Sequence, residues 1–191
     1  MKLYLTTIGI AMAIISFFNI LFDVAPWYYV LTAVVFATAL EFAIDGGIAI
    51  LINKMPDRWF GIENRNYRVS RWERDLYVRL GVRRWKDKVW ELGGLGGFSK
   101  RTLREPENPE YIERFIIECN KGVLTHRLSY PAGFLVMLTM LNTCSLTIAL
   151  PVAVVNLFLN ILPTMALRYN TPLLHTLLKR LKRNEQRRRA V

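Results

Sequence analysis

An all-α fold in a small polytopic membrane protein, with four membrane helices and cytoplasmic amphipathic helices, follows from three features of this sequence. Apolar residues gather in two blocks, 3–52 and 128–167. Charge is excluded from those blocks and fills residues 53–127 and the tail from Arg168. Within the charged stretches, apolar residues recur at helical spacing. The chain has 191 residues, enough for one domain, here a single integral membrane domain over 1–191. It is 52% hydrophobic yet carries a formal net charge of +11, a combination foreign to soluble enzymes and nucleic-acid binders.

A bilayer core takes ~20 apolar residues per helix. The first span is expected at 3–22. Lys2 before an apolar run resembles a signal peptide, but the run is too long for an h-region, no small-x-small site follows, and a second apolar run begins at once. Asp23-Val24-Ala25-Pro26 reads as a turn. Trp27, Tyr28 and Tyr29 stand where an aromatic belt belongs, and the second span follows over 27–52. The 40 residues of 128–167 allow two short spans, 128–145 and 149–167, with a turn at Asn142-Thr143-Cys144-Ser145. A re-entrant hairpin is the alternative there.

Residues 53–127 hold 17 Lys and Arg and residues 168–191 hold 8, whereas the two expected outer turns hold none. The positive-inside rule then places both termini and the 53–127 region in the cytoplasm of a multi-pass cell-membrane protein. Within that region Val69, Trp72, Leu76 and Leu80 form a stripe among arginines. It suits either an amphipathic helix in the membrane interface or the core of a small cytosolic subdomain. A glycine-rich run, 93–97, lacks the ending of a phosphate-binding P-loop and reads as a connector. Asn108 and Pro109 signal the start of a helix whose stripe is Ile112, Phe115, Ile116, Cys119, Val123 and His126. A final basic amphipathic helix is expected over 168–191, from about Thr171-Pro172. Its Leu174, Leu177, Leu178 and Leu181 oppose Lys179, Arg180, Lys182 and Arg183, and each basic residue contributes ~1 kcal/mol on an anionic membrane surface. Neither Cys119 nor Cys144 has metal-ligand spacing, and no structural disulfide is expected.

Chemistry must come from few groups. Of the two histidines, His126 lies where the cytoplasmic region meets the membrane, and a histidine there can act as a general base. A core histidine satisfied by one hydrogen bond is the plainer alternative. His175 lies among leucines. No GxSxG elbow or HExxH motif occurs, and no acidic residue stands four or five positions after either histidine. Glu41 and Asp45, one turn apart in the second span, are costly there and invite a functional reading. An ion pair with a loop arginine is the structural expectation. Arg168 can clamp a phosphate or carboxylate, or anchor the span end.

Pro56-Asp57, Trp85-Lys86-Asp87-Lys88, Phe98-Ser99-Lys100, Glu118 with His126 eight residues on, Asn160, and Arg168-Tyr169-Asn170 with Pro172 occur in an order that resembles the glycosyl-diaponeurosporenoate acyltransferase family, the staphyloxanthin-type glycolipid acyltransferases. Two positions depart from its pattern: Val123, where a second glutamate is common, and Arg127, where an aromatic residue is expected. The resemblance implies transfer of a fatty acyl group from a thioester donor, acyl-CoA or acyl carrier protein, to a hydroxyl of a glycolipid, with no further cofactor and no metal. It implies His126 as base, Glu118 as its orienting or polarising partner, Lys86, Lys100 and Asn160 as donors to the oxyanion, and Arg168, Tyr169 and Asn170 against a polar head group. On an ideal helix Glu118 and His126 are ~12 Å apart, so either Gly122 breaks the helix or their tasks differ. Membrane lipids, the acyl donor and the glycolipid acceptor are the expected partners; nucleic acid is not. The competing readings are a non-catalytic adaptor binding anionic lipid and another small lipid-modifying enzyme, such as a methyltransferase.

Overall fold

The computed structural model describes residues 2–89 and 102–189. The glycine-rich run at 93–97, the 98–100 motif and hence Lys100 lie outside them. Six α-helices are present among the described residues: α1 (Lys2–Leu21), α2 (Trp27–Asn53), α3 (Arg71–Arg79), α4 (Val82–Trp85), α5 (Pro109–Gly133) and α6 (Leu150–Arg189). Short 3-10 turns punctuate 57–88. The chain divides into two compact units, one formed by 1–51 and 125–161, the other by 52–124 and 162–191. Helices α5 and α6 contribute to both.

In the first unit, α1 and α2 are joined by the expected turn, where Asp23 takes a left-handed conformation (φ 49°). Aspartate and asparagine tolerate that region better than other non-glycine residues. Ile15, Val30, Val34 and Ala37 pack with Val136, Met140, Ile148, Ala149, Val152 and Ala153. Phe17, Phe36 and Phe158 face outward, as suits a surface solvated by lipid rather than water. Among the described residues three helical stretches are long and apolar enough to cross a membrane: Tyr4–Leu21, Trp27–Asn53 and Ser145–Arg189.

The fourth expected span, 128–145, is not a uniform helix. Helix α5 ends at Gly133, a 3-10 stretch covers Phe134–Thr139, Met140 is extended, and a π-helical turn spans Ser145–Ala149. The cause is local. Pro131 lacks the N–H that would bond the Arg127 carbonyl, and hydroxyls serve the loosened backbone. Thr139 donates to the Val136 carbonyl (2.7 Å) and Ser145 to that of Met137 (3.0 Å). The expected turn at 142–145 opens on Asn142, again left-handed (φ 56°).

The second unit is built on α5 and the end of α6. Asn108 caps α5, accepting from the Glu110 and Tyr111 amides at 3.0 and 3.2 Å. The α5 stripe is buried as its spacing required: Ile112, Phe115, Ile116 and Cys119 meet Leu174 and Leu178 of α6. Ser70 caps α3 by accepting from the Glu73 amide (3.1 Å). Gly81, at φ 62°, makes the left-handed turn into α4 that a side chain would strain. In α3 it is Tyr77 that is buried, while Trp72, Val78 and Leu80 are exposed. The expected helix break near residues 168–171 does not occur. Helix α6 runs on through Pro163 and Pro172 to Arg189, and the Thr171 hydroxyl back-bonds to the Leu167 carbonyl (3.0 Å).

Candidate active site

Within the first unit, polar side chains of three helices meet in a cluster. Helix α2 contributes Glu41 and Asp45, α6 contributes Asn156 and Asn160, and α5 contributes His126. Each pair is spaced i, i+4 and so faces one way. Asn156 donates to Glu41 Oε2 (2.8 Å) and, more weakly, to Asp45 Oδ1 (3.5 Å). Asn160 Nδ2 donates to Asp45 Oδ2 (3.0 Å) and is also within reach of the Asn156 carbonyl and side-chain oxygens (3.1 Å each). Asn160 Oδ1 lies 2.7 Å from His126 Nδ1. Where the sequence suggested an ion pair with a loop arginine, the partners of these carboxyls among the described residues are asparagines of α6.

This chain of bonds selects one tautomer of the neutral imidazole. A carboxylate only accepts, so the Asn160 amide must turn its NH2 to Asp45 and its carbonyl oxygen to His126. His126 Nδ1 then carries hydrogen and donates, which in the neutral ring puts the lone pair on Nε2. The arrangement has the logic of a base held by an orienting group that is itself anchored by a carboxylate. Gly133 makes room for the cluster. A Cβ there would meet Glu41 Oε2 at 2.9 Å and Asn156 Nδ2 at 3.1 Å. Among the described residues of this unit Glu41 Oε1 in α2, the Ser129 hydroxyl, one turn past His126 in α5, and Asn19 Oδ1 in α1 are buried without a hydrogen-bond partner.

The remaining sequence-selected residues belong to the second unit. Helix α5 runs unbroken through Gly122, so Glu118 does not reach His126. It lies 3.5 Å from Lys121, which also pairs with Asp57 at 2.5 Å and lies over the Phe60 ring. Burial pushes the Lys121 ammonium down, but the Asp57 hydrogen bond and the charges of Glu118 and Asp57 outweigh it and hold the group above its ordinary value. Beside it, Asn120 donates to the Phe60 carbonyl (2.9 Å), fastening the 57–60 turn to α5. Lys86 pairs with its neighbour Asp87 (2.7 Å). Arg168 is buried; its Nε and Nη2 both bond Glu73, and Nη2 also reaches the Arg68 carbonyl (3.1 Å). Tyr77 donates to the same carboxylate. Tyr169 and Asn170 are half-buried on α6. Among the described residues no three His, Cys, Asp or Glu side chains form a group able to hold a metal ion.

A family model, CrtO, described as glycosyl-4,4'-diaponeurosporenoate acyltransferase, matches residues 56–180. The chain belongs to this family. Membership implies a glycolipid acyltransferase. The matched stretch contains His126, Asn156 and Asn160 of the cluster, whereas Glu41 and Asp45 precede it. No curated protein and no solved structure matches the chain. Of the cluster, sequence reasoning selected His126 and Asn160 as site residues and singled out Glu41 and Asp45. It missed Asn156, although an asparagine one turn before Asn160 in an apolar span was the available signal.

Proposed function

We propose that this protein transfers a fatty acyl group from a thioester to a hydroxyl of a membrane glycolipid, with His126 as the general base. One observation carries the reading: the His126–Asn160–Asp45 chain, which leaves the basic nitrogen of the imidazole at Nε2. In the reaction Nε2 takes the proton of the acceptor hydroxyl as its oxygen bonds the thioester carbonyl carbon. Collapse of the tetrahedral oxyanion breaks the carbon–sulfur bond, and the imidazolium returns its proton to the departing thiolate. The products are an ester and a thiol. Asp45, through Asn160, does for His126 what the sequence suggested for Glu118. Asn160 is thereby a positioning residue rather than a donor to the oxyanion. Arg168 is assigned to holding Glu73 rather than to a head group. The basic residues of 53–127 and 168–189, Lys86 and Lys100 among them, draw anionic donors such as acyl-CoA or acyl carrier protein to the cytoplasmic face.

The same proposal has the chain cross the membrane four times, the 128–149 segment included. Two contacts within the first unit support it. Gly133 abuts Glu41 in the second half of α2, and the Thr147 carbonyl accepts from Asn19 near the end of α1 (2.8 Å). The segment thus runs from the middle of α2 towards the turn that joins α1 to α2, despite its irregular backbone. Both termini are cytoplasmic, and the outward Trp72, Val78 and Leu80 of the α3 region rest in the interface.

The test is acyl transfer by purified, monodisperse protein with an acyl-CoA and a glycolipid acceptor, normalised to folded protein. General-base assistance contributes ~10²–10⁴-fold, so His126→Gln should lose turnover by that factor with its thermal unfolding little changed. Near-native turnover by this variant would remove His126 as the base, and the adaptor reading would take its place.

A further inference from the structure

The last turns of α6 sort their side chains by face. Leu174 and Leu178 are buried against Ile112, Phe115 and Ile116 of α5, with Leu177 and Leu181 packed beside them. On the next flank Lys182 pairs with Glu113 of α5 (2.9 Å), and Arg189 pairs with Glu185 (2.5 Å). Lys179, Arg183 and Arg187, spaced i, i+4 and i+8, form a third face with Arg180 at its edge, and all four are exposed. At about 100° per residue this face lies about 160° from the leucines, so it turns away from α5. Among the described residues none of these four cations stands in an ion pair. The row from Lys179 to Arg187 is about 12 Å long at the rise of a helix. From Lys182 to Arg189 the chain has no apolar side chain.

We propose that this cationic face docks an acidic acyl carrier protein, the form in which the acyl thioester arrives. The proposal rests on the acyl-transfer reading and adds to it which donor is used and where it lands. A bilayer surface fits this face less well. A helix that lies in the membrane interface buries an apolar face there, and the leucines of this helix are taken up by α5. The α3 region makes the contrast: its arginines stand among the outward Trp72, Val78 and Leu80, the mixture that suits lipid. Acyl-CoA also fits less well. Its phosphates belong to one nucleotide, so cations that hold them must converge, whereas side chains on the outer face of an exposed helix diverge. Carboxylates along a helix of a protein partner repeat at the same i, i+4 spacing as Lys179, Arg183 and Arg187, so the two rows can meet charge for charge. Such complementarity steers encounter and fixes register.

The experiment uses the full chain in phosphatidylcholine nanodiscs, with myristoyl acyl carrier protein and myristoyl-CoA as the two donors. The carrier protein should bind, and binding should weaken with added salt. Arg183→Gln with Arg187→Gln should weaken it about five- to ten-fold and raise the KM for the myristoyl carrier protein equally. The KM for myristoyl-CoA should not move. Lys182→Gln with Arg189→Gln removes the same charge from side chains that already have partners, and should change carrier affinity less than about two-fold. Equal weakening by the two pairs, no weakening by the first, or an equal rise in the KM for myristoyl-CoA would overturn the proposal. A fluorophore at Gln186→Cys in a cysteine-less chain, all four cations retained, decides the matter if a pair does not fold. Its emission should shift on adding carrier protein and stay unchanged when phosphatidylglycerol replaces phosphatidylcholine. A shift with phosphatidylglycerol and none with carrier protein would place the face on lipid and overturn the proposal. Carrier binding at this face without any acyl transfer would sink the proposed reaction alone; transfer that ignores Arg183 and Arg187 would sink the docking face alone.

Discussion

Glu73 grips Arg168 at two points, its carboxylate bonding Nε and Nη2 of the guanidinium across 95 residues of chain. The contact ties α3 to α6 inside the second unit, with Arg68 and Tyr77 completing it. Arg168 therefore acts first as a structural pin. Arg168→Lys keeps the charge and loses the planar fork. It should destabilise the protein by roughly 1.5–3 kcal/mol, the range for a hydrogen bond to a charged group. Thermal unfolding would read this, and an unchanged midpoint would show that the grip contributes nothing.

The same carboxylate sets an acid limit on stability. Burial raises the Glu73 pKa, but hydrogen bonds from Arg168 and Tyr77, the Arg168 charge and the Ser70 cap together bring it below its ordinary 4.5. A carboxyl depressed in the folded state stabilises fully above its unfolded pKa and loses that contribution as pH falls through the folded one. Stability contributed by Glu73 should be constant from neutrality down to about pH 5 and decline below about 4.5. Comparing unfolding of the unaltered chain with Glu73→Gln across that range should show the difference between them shrinking at the acid end.

Gly133→Ala should disturb the cluster directly. Its helical φ of −58° leaves alanine free of backbone strain, so the whole effect comes from the Cβ pressing on Glu41 and Asn156. Overpacking of this kind costs about 1–3 kcal/mol. Turnover per folded molecule should fall as well, since Asn156 also touches Asn160. Unchanged stability and turnover would mean that the cluster has slack.

Asp45→Asn preserves shape but offers an amide that can donate back to Asn160. The Asn160 amide can then reverse, and His126 Nδ1 would accept instead of donate. Turnover should drop about 10²-fold or more with the KM for acceptor little changed. The histidine ¹⁵N shifts should report the other tautomer. A KM effect alone would assign Asp45 to binding.

Ser129→Ala removes a buried hydroxyl that has no hydrogen-bond partner. Deleting such a group is neutral or stabilising, so the unfolding midpoint should stay or rise. A clear loss of stability would reveal a partner.

Topology is checked in a cysteine-less background. Asp75→Cys and Gln186→Cys should resist an impermeant thiol reagent on intact cells, and Val24→Cys should react. Labelling of either of the first two from outside would refute the orientation.

Much of this was legible in the sequence, and the misses have physical causes. Apolar length alone gave α1 and α2, and the cap at Asn108 with the Ile112–Phe115–Ile116–Cys119 stripe gave α5. Pro172 misled: Thr171-Pro172 reads as a helix start, yet α6 continues through it, absorbing both the lost bond to the Arg168 carbonyl and the crowding of the ring against it. The irregular 134–149 backbone was hidden because hydropathy does not distinguish α from 3-10 or π geometry. For the site, spacing showed that Glu41 and Asp45 share a face. Nothing in one sequence says that the facing partners are Asn156 and Asn160, more than 100 residues later. The arginine-rich loop offered a more obvious match by charge, yet among the described residues it is the amides that meet the acids.

The distance in sequence between Asp45 and Asn160 has a consequence for biosynthesis. The two are 115 residues apart, as are Glu41 and Asn156. At about 5–20 residues per second of synthesis, roughly 6–23 s separate the emergence of each acid from that of its amide. Throughout that interval α2 holds two carboxyl groups with no α6 to meet them, and a lipid-exposed carboxyl opposes insertion. The nascent second helix is thus less committed to the bilayer than its hydropathy indicates, and only arrival of α6 locks it in place.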